Sequence, residues 1–287
     1  MSQRALAPAP ADGTSFAQIV EPSWLAQQQG ADLRILDVRD RPSYADGHLP
    51  GAIWFDRSSL SDTHPDHSVT LVSAARFAAL MGRLGIGPDT TVVVYDDVWG
   101  MHAARVVWAL RRFGHRWAAV LSGGAEGWQS AGLPLTCGAT LAYPRPFTLA
   151  PDDSQRASLS WLLPRSADRS VLLLDVRSAH EYAAGHLPGA RNWEWSNATP
   201  TGSWAMLRPL DELRADLLRQ DITPERRIVT YCSSGMRAAH TYLALRSLGY
   251  PDVRVLDAPW RGLAHVCEQG CGSKPATLES RTVHEVG

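Results

Sequence analysis

The chain has 287 residues, 45% of them hydrophobic, enough for two ordinary domains with cores of their own. With 28 basic against 29 acidic residues and no basic run, nucleic acid is not an expected partner. No stretch approaches the roughly eighteen apolar residues of a membrane span, and M-S-Q-R-A-L-A-P-A-P-A-D-G at the start lacks a signal peptide's apolar middle. A cytoplasmic protein with no membrane contact is therefore expected.

Residues 1–15, rich in Ala and Pro, read as a flexible lead. A helix is expected to start over Val20–Leu25, followed by a buried strand over Leu33–Arg39. Further on, strand-like Val92–Tyr95 precedes helical Ala103–Phe113, and Val171–Leu174 precedes Leu210–Gln220. Ile228, Val229 and Tyr231 then form a strand before Arg237–Leu248, where Ala238, Tyr242, Leu245 and Leu248 keep helical spacing. Such alternation predicts α/β architecture, a parallel sheet with helices on both faces.

The text also repeats. L-D-V-R-D-R-P-S-Y-A-D-G-H-L-P-G-A from Leu36 matches L-D-V-R-S-A-H-E-Y-A-A-G-H-L-P-G-A from Leu174 at an offset of 138, and Gly100-Met101 matches Gly235-Met236 at 135. Landmarks in one order over so long a span mean a duplicated domain. The expected units are 16–136 and 158–268, joined by a Pro- and Ala-rich linker at 137–157 and followed by a tail at 269–287.

The candidate chemistry lies in Y-C-S-S-G-M-R. Cys232 ends a strand, and the six residues from Cys232 to Arg237 turn the chain into a helix. A thiol there faces loop N–H groups and the positive end of a helix dipole, which favour thiolate. Ser233 and Ser234 offer hydroxyls, Gly235 allows the bend, Met236 follows it, and Arg237 is a cation beside the sulfur. A phosphatase loop needs C-x5-R, whereas Arg237 stands at C-x4-R, so a persulfide suits this shorter loop better than phosphate. A cysteine phosphatase or arsenate reductase, and a non-catalytic regulatory module, are the competing readings. In the first half Asp96 stands where Cys232 stands in the second, so that half cannot accept sulfur.

D-V-R followed by G-H-L-P-G-A in both halves, C-S-S-G-M-R, and L-S-G-G-A-E-G-W with its counterpart L-D-A-P-W-R-G-L together resemble the rhodanese family, specifically its tandem-domain sulfurtransferases. The resemblance implies an inert first rhodanese-like domain, a catalytic second one and a site near their interface. It implies transfer of a sulfane sulfur from thiosulfate or 3-mercaptopyruvate through a Cys232 persulfide to cyanide or another thiophilic acceptor, thioredoxin or another thiol included, without metal or organic cofactor. By the same resemblance Ser234 meets the donor's carbonyl or thiol region, Arg177 binds its carboxylate, and His67 is a possible accessory residue whose acidic partner falls on Ser58, with Asp56 nearby.

Asp37, Arg39, Asp175, His48 and His186 recur in both halves and read as structural. Cys267 and Cys271, with His265 and His284 near, lack the spacing of a zinc site, and Cys137 belongs to the linker. Trp193, Trp195 and Trp204 read as core residues that could also wall the pocket.

Overall fold

The structure, a computed structural model, describes residues 18–28, 32–65, 69–165 and 168–258. The first half carries strands β1 (Ile19–Val20), β2 (Leu33–Asp37), β3 (Ala52–Trp54), β4 (Ser61–Thr63), β5 (Val69–Leu71), β6 (Thr91–Tyr95) and β7 (Ala118–Leu121). Its helices are α1 (Pro22–Ala26), α2 (Arg41–Asp46), α3 (Ala74–Arg83), α4 (Met101–Arg112) and α5 (Gly124–Ser130). The second half carries β8 (Arg156–Ala157), β9 (Val171–Asp175), β10 (Arg191–Asn192), β11 (Arg227–Tyr231) and β12 (Val253–Leu256), with α6 (Leu159–Leu162), α7 (Ala179–Ala184), α8 (Leu210–Arg219) and α9 (Met236–Ser247).

Each half builds one parallel five-stranded sheet, ordered β1-β7-β6-β2-β3 in the first and β10-β9-β11-β12-β8 in the second. β4 and β5 pair antiparallel as a separate ribbon. The central strands carry apolar side chains on both faces, as a sheet covered by helices on both sides requires; Val92, Val93, Val94 and Tyr95 are all fully buried.

Helices α4 and α9 pack on each other between the two sheets. Ala103 through Arg111 and Ala238 through Leu245 are buried without interruption, so both helices are enclosed on every side, and one apolar cluster runs from Val92 and Trp108 to Leu243 and Val255. The two halves thus share a core along this seam.

Two boundaries differ from the sequence reading. Val20 ends a strand, because the residue before Pro22 is held extended: Glu21 caps α1 at φ −88°, ψ 155°. Arg156–Ala157, expected in the linker, pairs with β12 as an edge strand of the second sheet. The stretch before it lies along the first half, with the Arg145, Ala150 and Asp152 N–H groups donating to the carbonyls of Gly82, Phe113 and Arg112.

Candidate active site

β11 delivers Tyr231 to the C-terminal edge of the second sheet, and α9 leaves from Gly235. Gly235 sits at φ +81°, in the left-handed region that favours glycine, so the chain reverses within three residues of Cys232. Cys232 is only 6% exposed, and its Sγ accepts the Gly235 N–H at 3.2 Å. Ser233 is exposed beside it, while Ser234, Met236 and Arg237 are half-buried.

The Arg237 guanidinium is fixed by a residue the sequence reading did not single out. Its Nη1 and Nη2 fork onto Glu181 Oε2 and Oε1 at 2.6 and 2.9 Å, and Nη2 lies 3.3 Å from Ser233 Oγ. Glu181 is anchored in turn by the capping box of α7, where Ser178 Oγ accepts its N–H and its carboxylate accepts the Ser178 N–H. The bond to Arg237 holds the Glu181 carboxyl at about 2, against partial burial that opposes it. Glu181 likewise raises Arg237, with the Cys232 sulfur contributing after it. The S-x-x-E spacing at Ser178 was the available signal.

The counterpart loop of the first half shows what such a turn binds. Asp96, 2% exposed, accepts four backbone N–H groups: Val98 and Gly100 on Oδ1 at 2.9 and 2.8 Å, His102 and Ala103 on Oδ2 at 2.7 and 2.8 Å. This loop is one residue longer, and Trp99 absorbs the extra residue in a left-handed conformation at φ 49°. The second half embraces it. Trp204 stacks on Trp99 with 6.0 Å between ring centroids, the Trp99 indole donates to the Ser203 carbonyl, and Met206 fills the place where Gly100 lacks a side chain.

Arg177, expected to bind the donor's carboxylate, is tied into the frame of the second half. It is 5% exposed; Nη2 meets Asp175 Oδ2 at 2.6 Å and the Gly185 carbonyl at 2.7 Å. Arg39 repeats these contacts in the first half, with Asp37 at 2.6 Å and the Gly47 carbonyl at 2.7 Å. Burial works against both guanidiniums, but the neighbouring aspartates keep them charged. The pair ties strand to loop in each half.

His48 and His186 are also twins: Nδ1 bonds the Tyr44 and Tyr182 carbonyls, and each ring stacks on its tyrosine. Asp56 caps a helical turn through the Ser58 N–H. Trp193 is buried, while half-buried Trp195 meets His240 edge-on. His67, Cys267 and Cys271 lie outside the described residues, among which no cluster of three His, Cys, Asp or Glu could hold a metal. No described helix is long and apolar enough to cross a membrane.

A parallel α/β unit is thus built twice, with a buried cysteine in a strand-to-helix loop of the second copy. The Rhodanese-like domain family matches residues 21–131 and 158–264, and the chain belongs to the rhodanese family. It is 34% identical over 254 residues to the thiosulfate sulfurtransferase of Pseudomonas aeruginosa, covering 84% of this chain and 92% of that one. The 3-mercaptopyruvate sulfurtransferase of Escherichia coli K12 is 31% identical, with 86% and 94% covered. The crystal structure of SseA from Escherichia coli, described as a 3-mercaptopyruvate sulfotransferase with a rhodanese fold, superposes with a TM-score of 0.76 at 31% identity, covering 85% of this chain and 98% of SseA.

Proposed function

We propose that this protein is a sulfurtransferase that carries a sulfane sulfur on Cys232. The observation that carries the reading is Asp96 in the twin loop. Its side chain, Cβ–Cγ–Oδ, has the connectivity of a cysteine persulfide, Cβ–Sγ–Sδ, and four N–H groups close around it. In the second half Gly235 N–H already bonds Sγ. The counterparts of the two N–H groups on Oδ2 are those of Arg237 and Ala238, in the first turn of α9, where N–H groups have no partner within the helix. They are the donors for the outer sulfur.

The Cys232 thiolate attacks the donor's outer sulfur, forming a sulfur–sulfur bond. From thiosulfate, the donor's own S–S bond breaks and sulfite leaves with the electron pair. From 3-mercaptopyruvate, the C–S bond breaks and the pair goes to a pyruvate enolate, which takes a proton from solvent. Cyanide then attacks the outer sulfur, the persulfide S–S bond breaks, and its pair returns to Cys232 as thiolate while thiocyanate departs. The loop N–H groups serve the anion at each stage. A thiol of thioredoxin or a similar protein can make the same attack, giving a persulfide of its own. Among the described residues Cys137 and Cys232 form no disulfide, which suits a cytoplasmic setting.

Of the two donors we favour 3-mercaptopyruvate. Glu181 already matches the charge of Arg237, leaving the mouth less suited to a dianion, while Ser234, two residues after Cys232, is half-buried and offers a neutral hydroxyl to a carbonyl. The test is thiocyanate production from cyanide with each donor. Turnover with both, faster from mercaptopyruvate, is expected, and no thiocyanate above background from either would sink the assignment.

A further inference from the structure

Behind the catalytic loop lies a cation that the mechanism above does not use. Arg105, on α4 of the first half, is 4% exposed and reaches across the seam. A side-chain carbon built on Gly235 would lie 2.6 Å from its Nη1 and 2.8 Å from its Cζ, so the guanidinium occupies the space that glycine leaves open. Gly235 is the residue whose N–H holds Cys232 Sγ.

Arg105 is held in place from two other sides. Nη2 bonds Asp257 Oδ1 at 3.0 Å, and the guanidinium lies over the Trp108 ring at 4.6 Å. Asp257, 7% exposed, also receives Arg156 Nε at 3.3 Å and the Leu71 N–H at 3.3 Å. Among the described residues two guanidiniums, buried Arg105 and half-buried Arg156, face this one carboxylate, an excess of one positive charge. Nε and Nη1 of Arg105 are buried without a hydrogen-bond partner. Orphaned donors on a buried cation are costly, and few are kept without a reason.

The duplication supplies a control. The helix position matching Arg105 at the offset of 135 is His240, which performs the mirror-image crossing: its Nε2 lies 3.1 Å from the carbonyl of Trp99, just before Gly100 in the inert loop. Burial drives His240 down to about 4, so it is neutral there. The loop whose aspartate already has four N–H partners faces a neutral ring, whereas the loop with the exchangeable sulfur faces a cation.

We propose that Arg105 is a positioning residue for sulfur transfer: the inert half supplies it to back the Gly235 peptide and to hold the Cys232 thiolate and persulfide as anions. The inference rests on Cys232 being the sulfur carrier. It assigns the first half a part in the reaction, because the charge reaches the loop only when the halves are docked.

The test measures the rate at which Cys232 is alkylated by iodoacetamide, a neutral reagent, at one pH, read on the Cys232 peptide by mass spectrometry so that Cys137 does not contribute. Arg105→Met should slow it by about tenfold to thirtyfold, the effect of losing one charge several ångströms away in a partly buried site. Arg105→Lys, which restores the charge, should recover most of that rate. Asp257→Asn removes the counter-charge but keeps an acceptor for Arg105, so its rate should equal or exceed wild type. Folded Arg105→Met protein that alkylates within about twofold of wild type would overturn the proposal. So would an Asp257→Asn loss as large as that of Arg105→Met, since the ion pair rather than the cation would then matter. If Arg105→Met does not fold, the Asp257→Asn arm decides alone: a rate at or above wild type upholds the proposal, and a loss of about tenfold or more overturns it. Failure of the sulfurtransferase reading would instead appear as absent thiocyanate turnover in the wild-type protein.

Discussion

Replacing Asp96 by Ala tests the reasoning that links the two loops. The carboxylate accepts four N–H groups at 2.7–2.9 Å and is 2% exposed, so truncation leaves four buried donors facing a void. Hydrogen bonds to a charged group contribute about 1.5–3 kcal/mol each, so a naive sum runs to about 6–12 kcal/mol. Entry of water and relaxation of the longer loop offset much of that, and about 3–5 kcal/mol is the expected loss, near the upper end for a single substitution. Asp96→Asn should do no better. Its amide keeps one oxygen for two of the N–H groups but turns an NH2 donor toward the other two. Urea unfolding followed by tryptophan fluorescence reads the loss as a shift in midpoint. A loss under about 1 kcal/mol for Asp96→Ala would show that the loop N–H groups do not depend on the anion, and the argument from Asp96 to a bound persulfide would fall.

Arg39→Ala and Arg177→Ala should destabilise the protein by similar amounts, about 3–5 kcal/mol, each stranding a buried aspartate; a raised KM for mercaptopyruvate in folded Arg177→Ala protein would give that residue a part in donor binding as well. Ser234→Ala should lower kcat/KM with mercaptopyruvate about tenfold to a hundredfold and with thiosulfate less, and equal losses would make the serine a shaper of the loop only. Glu181 is held at about 2 against an ordinary 4.5, so its stabilisation is full above pH 4.5 and is lost as pH falls toward 2. The gap in urea midpoint between wild type and Glu181→Gln should therefore close over that window, and a gap independent of pH would show that the pair with Arg237 contributes nothing.

Much of this was legible because the sequence is written twice. Asp96 against Cys232 marked which half could carry sulfur, and the twin D-V-R motifs pointed to Asp37–Arg39 as a structural pair. Arg177 was assigned to the donor's carboxylate by resemblance, and its duplicate Arg39 makes the same contacts in the first half. What stayed hidden depends on contacts between distant segments. Arg105 and Asp257 are 152 residues apart and meet only when α4 packs against the second half, where Asp257 follows β12, and no local pattern announces that. Arg237 and Glu181 are 56 apart, and the capping box at Ser178 gives Glu181 a sufficient local reason to exist without revealing its second partner. Arg156–Ala157 carries only two residues of strand, too few for periodicity to register.

The most direct measurement is the mass of the protein after exposure to a donor without an acceptor. Wild-type protein treated with mercaptopyruvate or thiosulfate and desalted should gain the mass of one sulfur atom, located on the Cys232 peptide and removed by cyanide with release of thiocyanate. Cys232→Ser should gain nothing. Wild-type protein that folds and takes up no sulfur, or a Cys232→Ser variant that takes up as much as wild type, would contradict a persulfide at Cys232.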